Sequence, residues 1–326
     1  MPHTPPNSAA PLLQTELHRH LDVSIRLSTL LELAQAKGLE AASTSLAAFG
    51  EKILLTRPLQ DLEQVLATFS LFQHVQDRPE VLERVAFEVV EDCYHEGTRQ
   101  AELRFSPGFV TDKSGLSWDE VLDAYEAGLR RALIAYPDMK AGLICIGSRD
   151  RGPDSIARTV EFVLRHQSRF LGFDLAGNEL GFPCRLYEAV TQPLRAAGTR
   201  ITVHAGEAAG PENMWEAIAL IGAQRIGHGV AAIHDPKLMD HLRVHGICLE
   251  ICPTSNWLTQ ACATLSEHPL PLLLRAGVPV CINTDDPGVF DVTVPSEMAV
   301  AAKYMGLTNA ELEQCTRHAM SATFIR

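Results

Sequence analysis

Two histidines near the start of the chain could begin a metal site. His18 and His20 lie two residues apart in the segment ELHRH at residues 16–20. Side chains two apart on a strand point to the same face, so both imidazoles would face the same way. A His-x-His pair alone is as compatible with coincidence as with a metal site. Its meaning therefore depends on what other strands bring to the same place.

Further titratable side chains stand at the ends of three later apolar segments. They are His204, His228 and the adjacent pair Asp285 and Asp286. Each has a structural explanation, since a histidine can bond to the backbone and an Asp-Asp-Pro sequence can cap a helix. Together with the first pair, however, they fall at the same end of four strands, which favours one shared site.

The side chains in this set suit metal-assisted hydrolysis. Three neutral imidazole nitrogens and one carboxylate are ligands for Zn²⁺ that leave a position open for water, although such a set also accepts iron or manganese. Zinc lowers the pKa of that water to about 7, so hydroxide is available at neutral pH. Glu207, three residues after His204, is placed for proton transfer, and His228 and Asp286 could hold or deprotonate the water. We expect one Zn²⁺ per chain.

The elements that must position these residues follow from the alternation of short apolar and longer amphipathic segments. Predicted strands cover residues 15–21, 100–105, 141–146, 170–175, 200–203, 225–226, 247–251 and 278–283. Predicted helices cover residues 81–95, 118–135, 154–169, 211–222, 236–245 and 270–276. This alternation predicts an α/β fold with a parallel sheet. Eight strands without a linker favour a single (β/α)₈ TIM barrel, and no G-x-G-x-x-G follows a strand as a Rossmann fold would require.

One insertion interrupts the alternation after the first strand. Residues 39–79 have mostly helical sequence and no convincing strand. Leu62, Leu66, Phe69 and Phe72 fall on one helical face, with Val65 beside it. A packed helix explains this pattern, and so does an apolar lid over the barrel mouth, where active-site loops leave the strands.

Composition excludes several functional classes. The 326 residues are 46% hydrophobic and 21% charged, and the formal net charge is −12. Such an acidic chain disfavours nucleic acid as a partner. The 8 cysteines show no paired spacing, and no apolar run reaches membrane-spanning length. We expect a soluble cytoplasmic protein with a loose tail at residues 1–10 and a barrel domain at residues 11–326, of undetermined oligomeric state.

The motifs together resemble the adenosine deaminase family of the amidohydrolase superfamily. The matching segments, in family order, are ELHRHLD at 16–22, ELRFSP at 102–107, FDLAG at 173–177, HAGE at 204–207, RIGHG at 225–229, CPTSN at 252–256 and NTDDP at 283–287. The resemblance implies a metal-dependent (β/α)₈ barrel that removes the 6-amino group of a purine nucleoside as ammonia. Adenosine is the default substrate, giving inosine.

The resemblance also implies roles for individual residues. The catalytic zinc would be held by His18, His20, His204 and Asp285. Glu207 would protonate purine N1, His228 would orient the attacking oxygen or take its proton, and Asp286 would hydrogen-bond that oxygen. The substrate contacts implied are a backbone N–H of Gly177 to purine N3, Asp22 and Ser106 at the ribose, Asp174 as a brace, and a hydrophobic lid at Phe69 and Phe72.

Two departures from the family pattern bear on the substrate. Val23 stands where the family usually has Gly, and Asn178 replaces the usual Asp after Gly177. We expect Val23 to alter the wall near the ribose 5′ substituent and Asn178 to remove a charge near the purine edge. A 5′-modified adenosine such as 6-aminodeoxyfutalosine is therefore an alternative substrate, and free adenine a weaker one. A cytidine deaminase is disfavoured without P-C-x-x-C, and a non-catalytic metal- or ligand-binding barrel is disfavoured by Glu207.

Overall fold

The computed structural model of the protein describes residues 13–58 and 62–326, with the side chains of residues 62–68 excepted. The predicted tail at residues 1–10, and with it the boundary of the predicted barrel domain at residue 11, lies outside this part of the chain. Among the described residues, no helix is both long and apolar enough to cross a membrane.

Eight strands form the centre of the described structure. They are β1 Gln14–His20, β2 Thr98–Phe105, β3 Lys140–Ser148, β4 Phe170–Ala176, β5 Ile201–Ala205, β6 Arg225–His228, β7 Cys248–Ile251 and β8 Val280–Ile282. Each strand is parallel to the next in chain order. The first and last strands meet through a parallel bridge between Arg19 and Asp285, in which Asp285 N donates to the His18 carbonyl at 2.8 Å. The predicted (β/α)₈ TIM barrel is confirmed.

Helices cover the outside of the strands. In chain order, α1 to α15 are Leu27–Ala36, Leu46–Ile53, Leu62–Val75, Pro79–His95, Pro107–Ser114, Trp118–Ala135, Pro153–Arg165, Glu188–Ala196, Pro211–Glu216, Pro236–His245, Pro253–Leu258, Leu270–Arg275, Pro287–Phe290, Val294–Met305 and Asn309–Ala322. Most are amphipathic, as the sequence pattern predicted. The helix predicted at residues 154–169 is shorter in the structure, where it ends at Arg165 and a separate 3₁₀ turn follows. The helix predicted at residues 211–222 finishes in a π-helical turn at Ala217–Ile221.

Local sequence signals explain how the outer helices begin and pack. The N-cap of α6 is Ser117, which accepts a hydrogen bond from Glu120 N while the Glu120 carboxylate accepts one from Ser117 N. This reciprocal capping box satisfies two amides at the helix start. Gly128 of α6 lies against α4, where a Cβ would stand 2.1 Å from the Glu83 carbonyl oxygen. The two helices therefore pack closely only because this position lacks a side chain.

The insertion after β1 contains α2 and α3, as expected for a helical segment. Phe72 of α3 is fully buried in the main apolar core, and Phe69 is half-buried with its ring centroid 6.3 Å from that of Phe109. The side chains of Leu62, Val65 and Leu66 lie outside the described residues. A packed helix accounts for the described part of α3, and its function as a lid stays a prediction.

Candidate active site

Three predicted site residues meet where β1 joins β8. His18 Nε2 lies 3.3 Å and His20 Nε2 3.2 Å from the same oxygen, Asp285 Oδ1. The register of β1 shifts between Glu16 and Arg19, yet both histidines reach the same place, as their spacing predicted. Asp285 follows β8 in a left-handed backbone conformation, with φ +64°.

Two further strand ends bring His204 and His228 to this cluster. The ring centroid of His18 lies 4.6 Å from that of His204 and 4.8 Å from that of His228. His20 lies 5.4 Å from His204, measured in the same way. A side chain at Gly227 would crowd this arrangement, because a Cβ there would stand 3.0 Å from the His18 ring. The glycine of RIGHG thus makes room for an imidazole from β1.

Buried carboxylates orient two of the histidines. His18 Nδ1 lies 2.8 Å from Glu250 Oε2, and His204 Nδ1 lies 3.0 Å from Asp174 Oδ2. A carboxylate accepts hydrogen bonds, so Nδ1 of each ring carries the proton and donates it. The Nε2 atoms consequently keep their lone pairs, which is the form in which imidazole binds a metal.

The arrangement of these donors fits a divalent cation. Ligand atoms of His18, His204, His228 and Asp285 lie within 4.8 Å of one another, as do those of His20, Asp285 and Asp286. Among the described residues, the buried His18 Nε2 has no hydrogen-bond partner. Buried polar atoms are rarely left unpaired, so the lone pair of His18 Nε2 is placed to coordinate a cation.

The electrostatics of the adjacent aspartates agree with that fit. Burial, together with the neighbouring Asp285 charge, raises the pKa of Asp286 well above its usual range. Burial also opposes the charge of Asp285, but its contacts with His18 and His20 outweigh this and hold its pKa well below the usual range. The pKa of His20 is lowered by burial but raised more by Asp286 and Asp285, to about 9. The two adjacent carboxylates thus favour positive charge at this point.

The residues predicted to move protons lie beside this cluster. Glu207 Oε2 is 3.5 Å from His228 Nε2, and Glu207 Oε1 accepts a hydrogen bond of 3.1 Å from Thr259 Oγ1. On its other side, His228 Nδ1 lies 2.9 Å from Asn256 Nδ2. Asp286 Oδ1 is buried and, within the described chain, makes no hydrogen bond. An acid, an imidazole and an unpaired carboxylate oxygen therefore surround one small volume.

The loop that carries Glu207 is held by a residue that the sequence analysis missed. Buried Glu179 accepts hydrogen bonds from the backbone amides of Gly206, Glu207 and Ala208, at 2.9, 2.7 and 2.6 Å. Asn213 Nδ2 adds a fourth, at 2.6 Å. Three successive N–H groups turned toward one anion form a backbone nest. Glu179 stands two residues after the FDLAG segment, but its partners lie on another loop and no local pattern reveals them.

Buried charges inside the barrel were also missed. Arg104 donates to Asp174 at 2.6 Å and to Glu250 at 2.8 Å, so it links the carboxylates behind His204 and His18. Arg225 extends the network to Glu250, at 2.6 Å. Burial opposes the charge of Glu250, but Arg104 and Arg225 hold its pKa well below the usual range. The sequence signal was clearest for Glu250, the one charged residue of the strand Cys248–Ile251.

The residues predicted to bind the ribose, Asp22 and Ser106, lie together at the mouth of the barrel. Asp22 Oδ2 accepts from Ser106 N at 2.9 Å, and Ser106 Oγ lies 3.1 Å from Ser148 Oγ. Burial raises the pKa of Asp22 to about 6. Gly177 is exposed with φ +99°, and a Cβ there would stand 2.1 Å from Asp150 Oδ1, so only glycine fits.

The two departures from the family pattern have local explanations. The Val23 side chain is 3% exposed and belongs to the apolar core together with Leu21 and Ile25. Asn178 is exposed, and its Oδ1 accepts hydrogen bonds from the amides of Leu180 and Gly181, at 3.1 and 3.3 Å. The Asn178 side chain thus stabilises the turn that follows it, and an uncharged amide is sufficient for these hydrogen bonds.

A parallel barrel that gathers histidine and aspartate side chains at the carboxyl ends of its strands defines the class of metal-dependent amidohydrolases. A model of the adenosine deaminase family matches residues 13–326. The adenosine deaminase of Yersinia enterocolitica is 41% identical over 311 residues, covering 95% of this chain and 93% of that protein. That of Vibrio cholerae is 40% identical over 318 residues, covering 98% and 94%. The chain belongs to the adenosine deaminase family.

Solved structures share the fold over nearly the whole chain. An adenine deaminase from Arthrobacter aurescens superimposes with a TM-score of 0.88 at 24% identity, covering 97% of this chain and 95% of that one. An amidohydrolase from Burkholderia ambifaria with bound Zn gives a TM-score of 0.86 at 25% identity, covering 97% and 86%. These matches support the barrel fold over nearly the whole chain.

Proposed function

We propose that this protein is a zinc-dependent deaminase that hydrolyses adenosine to inosine and ammonia. The observation that carries the proposal is the Glu207 carboxylate, 3.5 Å from His228 Nε2 and beside the His/Asp donor set. A purely structural metal site needs no acid at that position. The named activity of relatives about 40% identical supports the same reaction.

The ligands proposed for the zinc are His18, His20, His204 and Asp285. Their donor set of three imidazoles and one carboxylate suits Zn²⁺, and the amidohydrolase structure with bound Zn supports the choice of metal. When bound, the ion activates water as a nucleophile near neutral pH. Glu250 and Asp174 keep His18 and His204 oriented for this role.

Glu207, His228 and Asp286 would move the protons. As the water oxygen bonds to C6, Glu207 gives a proton to N1, and Asp286 accepts a hydrogen bond from the attacking oxygen. His228 orients that oxygen or takes its proton. The C6–N6 bond then breaks as the amino group takes up the proton that the attacking water has released and leaves as ammonia, and the C6 hydroxyl proton restores the acid form of Glu207. N1 keeps its proton in inosine, so the atoms balance.

The remaining predicted residues would bind the nucleoside. The exposed backbone of Gly177 would donate to purine N3, and Asp22 and Ser106 would bond the ribose. Phe69 and Phe72 belong to the proposed lid, where Phe72 would anchor α3 in the core and Phe69 would approach the substrate. Because Val23 is buried among core side chains, adenosine remains the first substrate to test, ahead of a 5′-modified adenosine or adenine.

The test is kcat/KM for adenosine by ammonia release from zinc-loaded protein, with 5′-extended adenosines and adenine in parallel. A value above about 10⁴ M⁻¹s⁻¹ for adenosine supports the proposal. A value orders of magnitude lower, with efficient turnover of a 5′-extended analogue, moves the substrate to that class. If Val23→Gly leaves the ratio of kcat/KM for adenosine to kcat/KM for 5′-extended adenosines unchanged, Val23 does not discriminate between substrates at the 5′ end. Full metal content with no turnover of any purine would overturn the proposal.

A further inference from the structure

Behind His228 runs a chain of buried hydrogen bonds that no step of the proposed reaction uses. The amide of Leu270, at the start of α12, donates to His268 Nδ1 at 3.0 Å. His268 Nε2 lies 3.3 Å from Asn256 Oδ1, and Asn256 Nδ2 lies 2.9 Å from His228 Nδ1. The side chains of His228, Asn256 and His268 are all buried. The chain thus links a helix terminus to the imidazole beside Glu207.

The direction of every bond in this chain follows from its first member. A backbone N–H can only donate, so His268 Nδ1 accepts and the proton of this neutral ring sits on Nε2. That proton requires an acceptor, which fixes the Asn256 oxygen toward His268. The Asn256 amino group must then face His228 and donate to its Nδ1. With Nδ1 accepting, the proton of His228 is on Nε2.

The surroundings of His268 agree with this reading. Burial lowers the pKa of His268 to about 3, so the ring is neutral and has only one proton to place. Turning the Asn256 amide over would set its amino group against the His268 N–H, two donors facing each other in a buried site. Such a pair leaves both groups unsatisfied, which is costly away from water.

We propose that Asn256 and His268 are positioning residues that hold His228 in the tautomer protonated on Nε2, so that His228 meets the attacking oxygen as a hydrogen-bond donor. The inference rests on the proposed function and decides between the two roles left open there for His228. It also excludes His228 as a metal ligand, because a protonated Nε2 has no lone pair. His18 and His204, with carboxylates behind them, carry the opposite tautomer.

The first test reads the tautomer directly and needs no turnover. Long-range ¹H–¹⁵N spectra of zinc-loaded protein with ¹⁵N-labelled histidine distinguish a ring protonated on Nε2 from one protonated on Nδ1. Signals that disappear in His228→Gln identify the His228 ring. We expect the Nε2-protonated pattern. A pattern with the proton on Nδ1 would overturn the inference, whether or not the protein deaminates adenosine.

The second test reverses the chain with an isosteric substitution. In Asn256→Asp, a carboxylate would accept from both imidazoles, so His228 would move its proton to Nδ1 and leave Nε2 bare. We expect this change of pattern in the spectrum, a kcat for adenosine at least about 100-fold lower, and a KM within about threefold. Asn309→Asp makes the same chemical change at an exposed position of α15 and should match the wild type.

His268→Leu provides an independent variant should Asn256→Asp fail to fold. Without the His268 donor, the Asn256 amide is free to turn, and both His228 patterns should be seen together with an intermediate kcat. Metal content per chain is measured for each variant and should equal that of the wild type. Unchanged kcat and an unchanged His228 pattern in a folded variant would refute the positioning role. Absence of wild-type turnover would instead refute the proposed function and leave the spectra to decide the tautomer.

Discussion

Glu250→Gln tests whether the buried ion network of the barrel serves the metal site. Glu250 Oε2 accepts from His18 Nδ1 and Arg104, both at 2.8 Å. Its Oε1 accepts from Thr202 Oγ1 at 2.9 Å and from Arg225 at 2.6 Å. One carboxylate thus serves a metal-ligand candidate and two buried guanidinium groups. The substitution keeps the shape of the side chain and removes its charge.

The size of the effect follows from how the introduced amide can sit. With the amide oxygen at the Oε2 position, the new side chain keeps the bonds to His18 and Arg104, and the Thr202 hydroxyl can turn to accept. Only Arg225 is left facing an amino group. Breaking a buried ion pair in this way costs about 3–5 kcal/mol of unfolding free energy. The charge behind His18 is lost while its hydrogen bond remains, so we expect metal affinity to fall about 10-fold, roughly 1.4 kcal/mol.

The control is Glu102→Gln, which disturbs the same network without touching a histidine. Buried Glu102 accepts from Arg225 at 2.6 Å and from Thr323 Oγ1 at 2.7 Å. It should lose a comparable unfolding free energy by leaving Arg225 against an amide. Urea unfolding of the metal-free proteins gives the stability loss, and competition with a chromophoric chelator gives the Zn²⁺ affinity. The difference in affinity between the two variants isolates the contact with His18.

Two outcomes would refute this reasoning. If Glu250→Gln binds Zn²⁺ as tightly as the wild type, the charge behind His18 does not support the site. If Glu102→Gln loses as much affinity as Glu250→Gln, general loosening of the barrel explains the effect and the contact with His18 is immaterial.

Four other predictions test separate parts of the structure. Glu207→Gln should lower kcat about 10²- to 10⁴-fold with little change in KM in the ammonia-release assay, and wild-type kcat would exclude it as the acid. Glu179→Gln should lower kcat about 10- to 100-fold at unchanged metal content, because two of the four N–H donors around this side chain would face the new amino group. An unchanged kcat would mean that the loop keeps its conformation without the Glu179 carboxylate. Phe72→Ala should cost about 3–5 kcal/mol in urea unfolding, and half-buried Phe69→Ala clearly less. Burial raises the pKa of Glu297 from 4.5 to about 7. This group's stabilisation is therefore present below pH 4.5 and lost as pH rises through about 7, a fall of about 3 kcal/mol that Glu297→Gln should not show.

The fold and the main cluster could be predicted because both depend on local patterns. Alternating strand and helix segments specify a parallel barrel, and parallel strands necessarily bring their carboxyl ends to one face. His18, His204, His228 and Asp285 all lie within three residues of the carboxyl end of a strand, so the barrel topology brings them to one face. Small shifts of the strand boundaries between prediction and structure did not change that result.

The residues behind the histidines could not be predicted in the same way. Glu250 and Asp174 lie in the middle of strands, and only the barrel's register brings them against His18 and His204. Glu179 acts from a loop and Asn256 from the short helix α11, and their partners depend on how neighbouring segments fold over the barrel. A sequence pattern gives the type and strand position of a side chain, but the atom it faces is a tertiary property.

That limit matters because the partner, and not the residue type, separates the roles of the histidines. A carboxylate behind His18 or His204 accepts the Nδ1 proton and leaves Nε2 free to bind a cation. An amide amino group behind His228 donates to Nδ1 and places the proton on Nε2, where it can meet an oxygen. Exchanging Asn256 for Asp would therefore give His228 the tautomer of a ligand. In a site built from several equivalent-looking imidazoles, a single buried amide is sufficient to decide which of them binds metal and which handles the reacting oxygen.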